Sequence, residues 1–304
     1  MKLIAIQYRF DLNDYFSKKT FFDRIDDLMI KVDEKVSVDR KTLIVFPEDI
    51  GTMLIFMGED LTGINSIKDA ATMLIKKYFP KILLYRLRYR IGWANSLFLY
   101  KARNIFETYI NVFSKISRRY DTYIIAGSLL LPRLNGREIL DPYIYNTSII
   151  FNYSGKIIGV QRKVHLISLE KRDLEVSPAS LEEISIIDTE FGKIGLAICY
   201  DAFFDDVVEK LVEMGAEIVV QPSANPEKWD SRLERKWKDG CWNMVQKYDR
   251  LKYGVNPMAV GKILDLEFEG LTSIVTKVEN TLDRSGYLAK SLTRNREEII
   301  YVEV

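Results

Sequence analysis

The sequence predicts a domain of mixed α/β (α+β) class that runs the length of the chain. Three observations carry this. Apolar runs of strand length alternate with stretches of helical periodicity from one end to the other. No repeat, low-complexity tract or Pro/Gly/Ser-rich linker divides them. The 304 residues, 47% of them hydrophobic, suffice for a large core. A mixture of strands and helices throughout argues for one domain, 1–304, rather than separate all-α and all-β parts.

The elements follow in order. KLIAIQY (2–8) reads as a buried strand. Over 17–37, Phe21, Phe22, Ile25, Leu28, Met29 and Val32 recur at three-to-four spacing with charges between, the pattern of an amphipathic helix. TLIVF (42–46) is a strand stopped by Pro47-Glu48. YIIAGSLLL (123–131) is a strand interrupted by Gly-Ser. YIYNTSIIFNYSGKIIGVQRK (143–163) reads as a hairpin turning at 152–155. ISIIDT (184–189) and IGLAICY (194–200) flank a turn at 191–193. A helix is expected over 204–214, a strand at EIVVQP (217–222), a helix over 229–250, and strands and loops from 255 onward.

Composition excludes several classes. Net charge is +1, so nothing suggests a nucleic-acid partner. Two cysteines do not make a disulfide framework, and a reducing, cytoplasmic setting is expected. The apolar run LIAI near the N-terminus is too short for a signal-peptide core. No stretch approaches 18 uncharged apolar residues, so no membrane span is expected.

One stretch stands apart. Residues 74–103 hold eight Lys or Arg, no Asp or Glu, and seven aromatics, leaving the rest of the chain at −7. On a helical wheel Leu83, Leu84, Leu87 and Ile91 form one apolar arc. Lys81 and Arg88 lie on one flank, Arg86 and Arg90 on the other. Such an arc either packs on the body or a second subunit, or rests on an anionic membrane surface.

The chemistry centres on Cys199, at the end of the apolar run IGLAIC. It is either an inert core thiol or a nucleophile at the mouth of a sheet, and a nucleophilic thiol needs an activating partner. The one histidine, His165 in RKVHL, is a possible partner, but an orienting Asn or Asp signature is missing around the cysteine. The other partner is a carboxylate. Glu48, Lys163 and Cys199 each follow a strand-like run. If those strands lie side by side in parallel, all three side chains reach one rim, where α/β sheets commonly place their sites. A carboxylate to take the thiol proton, an ammonium to stabilise thiolate and oxyanion, and a thiol to attack form a complete set. Cys241, in DGCWNM, has no such neighbours in sequence and reads as a helix residue.

The blocks FPED (46–49), RKVHL (162–166) and GLAICYDAFF (195–204) resemble the three signature blocks of the nitrilase superfamily, the carbon–nitrogen hydrolases. AIQY (5–8), IIAGS (124–128), YNTSII (145–150) and GAEIVVQPSANP (215–226) match the segments between and around them, in the same order. The resemblance implies a four-layer α-β-β-α sandwich, usually paired into a homodimer or higher homo-oligomer, with no metal and no organic cofactor. It implies Glu48 as general base, Lys163 as oxyanion stabiliser and Cys199 as nucleophile, with the Tyr200 amide as second oxyanion donor. A second glutamate follows the lysine in many members. Glu170 is the nearest match and Glu175 the alternative. His165 then becomes a motif residue that orients the lysine loop. The small-molecule substrate would be an amide, nitrile or carbamyl compound, cleaved through a thioester.

Two departures qualify the resemblance. Cys199-Tyr200-Asp201 resembles the amidase side of the family rather than the nitrilases, which typically have Trp-Glu after the cysteine. The branch acting on dicarboxylic-acid amides usually reads Cys-Tyr-Asp-x-Arg-Phe-Pro-Glu. Here Phe203 stands where that arginine does, and Asp205-Asp206 where Pro-Glu stands. Phe203 and Phe204, with Ser223, are therefore candidate pocket residues for an uncharged or apolar acyl group. The second departure is the 80-residue separation from Glu48 to Ser128. It makes room for an inserted basic, aromatic helical segment at about 60–118, expected to serve as a lid, an interface or a membrane patch. An N-acyltransferase, a nitrile-acting enzyme and an inactive scaffold of the same fold remain alternative readings.

Overall fold

The computed structural model describes residues 1–136 and 138–304. The chain opens with β1 (Lys2–Phe10) and α1 (Lys18–Val36). Ser17 starts that helix by accepting the Thr20 N–H, while the Thr20 hydroxyl accepts the Ser17 N–H. Then come β2 (Thr42–Val45), α2 (Ile67–Lys77), α3 (Phe79–Tyr89), the long α4 (Trp93–Arg119), β3 (Tyr123–Ile125) and β4 (Leu129–Leu131). A small pair, β5 (Leu134–Asn135) and β6 (Glu138–Ile139), precedes the hairpin β7 (Tyr145–Phe151) and β8 (Ile157–Arg162), the short α5 (Ser168–Arg172), β9 (Ile186–Thr189) and β10 (Gly192–Leu196). The last third contributes α6 (Asp205–Glu213), β11 (Ile218–Val220), β12 (Ser223–Ala224), α7 (Ser231–Trp237) and α8 (Cys241–Lys247). It ends with β13 (Tyr253–Asn256), β14 (Met258–Ile263), β15 (Leu266–Phe268), β16 (Ser273–Val275), β17 (Tyr287–Lys290) and β18 (Glu298–Glu303).

Two sheets form. In the larger, β14, β1, β2 and β3 run parallel, and β7 follows β3 antiparallel; β8 pairs on β7 and β18 on β1. The smaller has the order β17-β16-β13-β11-β10-β9, with β10, β11 and β13 parallel. Alternation along the strands builds the layers. Leu3, Ala5, Leu43 and Val45 of the larger sheet pack against Ile194, Leu196, Ile218 and Val220 of the smaller. Their neighbours Ile4, Ile6, Ile44 and Phe46 point the other way, onto α1 and α4. The outer face of the smaller sheet buries Ala197 and Val219 against α6 and α8. The result is the α-β-β-α sandwich.

Two expectations are corrected, and one that was left open is narrowed. The strands that lead to Glu48, Lys163 and Cys199 do not lie side by side in one parallel sheet. β2 and β8 belong to the larger sheet, where β8 is antiparallel to its neighbour, while β10 belongs to the smaller. The three residues converge across the sandwich. The helix expected over 229–250 is two helices, α7 and α8, broken at 238–240. There Gly240 comes so close to the Gln221 amide that a Cβ would sit 2.8 Å from Gln221 Oε1. The third concerns α3. Its buried side is Ile82 with half-buried Tyr85 and Tyr89, whereas Leu84 and Leu87 of the apolar arc are 65% and 68% exposed. These two leucines face solvent, because the opposite face is apolar enough to make the contact with the body, while Ile91 lies past the end of α3 and packs on the core.

Candidate active site

Glu48 sits in the turn after β2, on a loop wedged against residues 126–128. The Asp49 N–H donates to Ser128 Oγ at 3.0 Å, and Gly127, with φ +72, lets the Pro47 carbonyl approach closely. Lys163 follows β8, and its N–H donates to the Asn146 carbonyl at 2.9 Å. Cys199 follows β10 by three residues and opens a 3-10 turn, Cys199–Phe203. Its φ of +50 lies in the left-handed region that non-glycine residues seldom adopt. The Gln221 amide steadies this bend by donating to the Cys199 carbonyl at 3.0 Å.

These loops deliver a buried ionic cluster. Lys163 Nζ donates to Glu48 Oε1 at 2.7 Å and to both oxygens of Glu170, at 3.0 and 2.9 Å. Glu170, in α5, also accepts the Ile167 N–H at 2.9 Å. Asn146, on β7, spans the two carboxylates: its Nδ2 donates to Glu48 Oε1 at 2.9 Å and to Glu170 Oε1 at 2.8 Å. The Ala224 N–H donates to the other oxygen of Glu48 at 3.0 Å. Lys163 is 1% exposed and Cys199 7%.

The electrostatics follow from burial. Desolvation raises the Glu48 carboxyl above the usual carboxylate range, the Lys163 charge opposes this, and the Glu170 charge adds to it. Burial also pushes the Cys199 thiol well up, and the negative charge of Glu48 adds to it against the pull of Lys163. For Lys163, burial works to lower the ammonium, but the charges of Glu48, Cys199 and Glu170 outweigh it and hold the group firmly protonated. Burial thus favours the neutral form of the thiol, which lies beside a carboxyl group bound by a firmly protonated ammonium. The thiol and the Glu48 carboxyl are neighbours, an arrangement in which a proton could pass from one to the other.

A second network ties the loops together. Asp201, two residues past the cysteine, is 1% exposed and accepts the Val164 N–H at 3.1 Å and the His165 N–H at 2.6 Å. Burial raises its carboxyl to about 7. The His165 ring stacks on Phe204 at 3.8 Å, and its Nε2 meets Asp206 at 2.9 Å. The histidine thus joins the lysine loop to the segment after the cysteine.

The other candidates separate cleanly. Glu170 lies in the cluster. Glu175 does not: its carboxylate accepts the Asn95 N–H at 3.1 Å in the first turn of α4, so it caps that helix. Tyr200 is half-buried in the cysteine turn, its ring against Phe203 and Phe204 at 6.1 and 4.9 Å. Phe203 also meets Trp237 edge-on at 5.5 Å. Ser223 is fully buried, donating to the Gln221 carbonyl and accepting from Asn256. Cys241 opens α8, its thiol raised to about 12 by burial. Asn146, Gln221, Asp201 and the Ala224 amide were not singled out from the sequence. Asn146 lay in plain view within YNTSII, as a polar residue in the middle of a buried strand.

Comparison with known proteins bears on the family and the fold. The family model for carbon–nitrogen hydrolases matches residues 91–240, a span that contains Lys163, Glu170 and Cys199. An omega-amidase of Saccharomyces cerevisiae is 27% identical over 219 residues, 65% of this chain and 73% of that protein. A deaminated glutathione amidase of Bos taurus is 39% identical over a shorter span, 30% of this chain and 31% of that protein. Among solved structures, a carbon–nitrogen hydrolase of Helicobacter pylori superposes with a TM-score of 0.67 at 20% identity, covering 99% of this chain and 88% of that one. An amidase of Nesterenkonia sp., captured with acrylamide added to its active-site cysteine, gives 0.66 at 14% identity, covering 100% and 93%. With the signature blocks, the sandwich and these relatives in agreement, the chain is similar to the carbon–nitrogen hydrolases of the nitrilase superfamily and reads as an amidase-type hydrolase.

Proposed function

We propose that this enzyme cleaves the amide bond of a small, uncharged or apolar substrate through a thioester on Cys199. The observation that carries the reading is the buried Glu48–Lys163–Glu170 cluster, bridged by Asn146 and set against the cysteine. In the first half-reaction Glu48 takes the thiol proton as Sγ attacks the carbonyl carbon. The Lys163 ammonium and the Tyr200 N–H stabilise the oxyanion. The tetrahedral adduct collapses, the C–N bond breaks, and Glu48 passes the proton to the departing nitrogen as ammonia or an amine. In the second half, water gives a proton to Glu48 and attacks the thioester. The acid leaves and the thiol regains its proton. Glu170 takes no proton in this scheme; its two bonds to Nζ hold the ammonium in place.

The substrate class rests on what surrounds the cysteine. Phe203 stands where dicarboxylate-amide relatives carry an arginine, and it packs among Tyr200 and Trp237. This supports an apolar acyl group, although the omega-amidase likeness would suggest a carboxylated one. The test is ammonia release from a panel of short, long, aromatic and carboxylated acyl amides, by wild type and Cys199→Ala, with intact mass to trap the acyl group. Release by wild type alone, best with apolar acyl groups, is the expected result. A preference for α-ketoglutaramate over uncharged amides would overturn the substrate class. Full activity in Cys199→Ala would overturn the mechanism, and an acyl adduct that forms but is released only to an added amine would convert the enzyme to an acyltransferase.

A further inference from the structure

We propose that α3 is a docking face for an anionic lipid surface. Phe79, Leu84 and Leu87 are 45%, 65% and 68% exposed on this helix, with Pro80 exposed between them. The exposure is a product of how the helix is seated. Ile82 is fully buried, and Tyr85 and Tyr89 pack on the same core, so the opposite arc must point outward. Arg86 holds this orientation: its guanidinium donates to the Ile91 carbonyl at 2.9 Å and lies over the Trp93 ring at 4.5 Å. The turn into α4 is fixed in its place by Glu175 on the Asn95 N–H.

Charge identifies the partner. Exposed Lys81 and Arg88 lie on one flank of the leucines, exposed Arg90 caps the C-terminal end of the helix, and no Asp or Glu occurs between residues 74 and 103. Among the described residues no carboxylate forms an ion pair with these three. An apolar ridge bordered by a cationic flank and a cationic C-terminal cap matches the boundary of a bilayer, with leucines among the upper acyl chains and basic heads among anionic phosphates. A second copy of this chain fits less well. A two-fold contact through the ridge, with the helices antiparallel across the axis, would bring the basic flank of one copy against that of the other. Among the described residues no helix is long and apolar enough to span a membrane, so the contact is peripheral. The proposal does not depend on the reaction at Cys199.

The test is co-sedimentation of the full chain with vesicles of phosphatidylglycerol and phosphatidylcholine, and with phosphatidylcholine alone. The expected result is binding to the anionic vesicles at low salt, lost at high salt as screening sets in. Lys81→Glu/Arg88→Glu is expected to weaken partitioning by at least about fivefold per charge, and Leu84→Ser/Leu87→Ser by about tenfold. Both pairs are exposed, so circular dichroism and thermal midpoint should stay at the wild-type values. Absence of binding to anionic vesicles at low salt would overturn the proposal, as would equal binding to neutral ones or indifference to either double substitution. If instead Leu84→Ser/Leu87→Ser splits an oligomer in sedimentation velocity, the ridge is a subunit interface.

Discussion

Asn146→Ala tests the architecture of the site at its least obvious point. The side chain gives one amide nitrogen to two buried carboxylates, at 2.9 and 2.8 Å. Hydrogen bonds to charged groups contribute about 1.5–3 kcal/mol each, so two represent about 3–6 kcal/mol. Against this, the Asn146 carbonyl is buried without a partner, and deleting it relieves about 1–3 kcal/mol. The expected net loss is about 3 kcal/mol, measured by urea unfolding at neutral pH. The effect on chemistry has a separate signature. With one donor fewer, the Glu48 carboxylate is less well stabilised in its charged form, so the acidic limb of the kcat/KM profile should move to higher pH. An apolar filler of the strand would lose stability without moving that limb. A loss under about 1 kcal/mol together with an unshifted limb would refute the bridge.

Other expectations follow from the same geometry. Lys163→Met leaves two carboxylates buried without their ammonium, and breaking such a pair costs about 3–5 kcal/mol; a thermal midpoint within a degree of wild type would contradict it. Asp201 has its carboxyl raised to about 7, so the folded state keeps a proton that the unfolded chain releases near pH 4. Its contribution to stability is therefore fully present below about pH 4 and lost as pH rises to about 7. Asp201→Asn should flatten that window by up to about 4 kcal/mol, read as the difference between wild-type and variant unfolding free energies across pH. Gly127→Ala would put a Cβ 2.0 Å from the Pro47 carbonyl, at a φ of +72. It should cost more than about 2 kcal/mol and depress turnover by shifting the Glu48 loop; wild-type turnover in this variant would show that the loop has slack.

Much of this was legible in the sequence, for identifiable reasons. Glu48, Lys163 and Cys199 stand out because each follows an apolar run, and a run that ends in a polar residue marks a strand delivering something to its rim. The partition into two sheets was hidden because a buried strand looks the same in either sheet: TLIV and KIGL carry no mark of which layer they join. Asn146 was hidden for a related reason. β7 is buried along its whole length, so its polar residues break no visible alternation. The orientation of α3 shows the limit of periodicity. A helical wheel tells which residues share a face. It cannot tell which face meets the body when Ile82, Tyr85 and Tyr89 supply a second apolar side.

On the proposed mechanism, the convergence across the sandwich also governs when the protein becomes reactive. Glu48 and Lys163 hang from the larger sheet and Cys199 from the smaller, and Asp201 reaches back to hold the lysine loop. One residue of slippage between the layers, about 3.3 Å, exceeds the length of any bond in the cluster. A nascent or half-docked chain therefore carries a thiol with neither Glu48 nor Lys163 beside it, and a free thiol without such partners is mostly protonated and a weaker nucleophile at neutral pH. Assembly of the two layers is in this sense the activation step. During refolding, acylation of Cys199 would report the docking of one sheet on the other, and should appear only with the last packing event, after most secondary structure has formed.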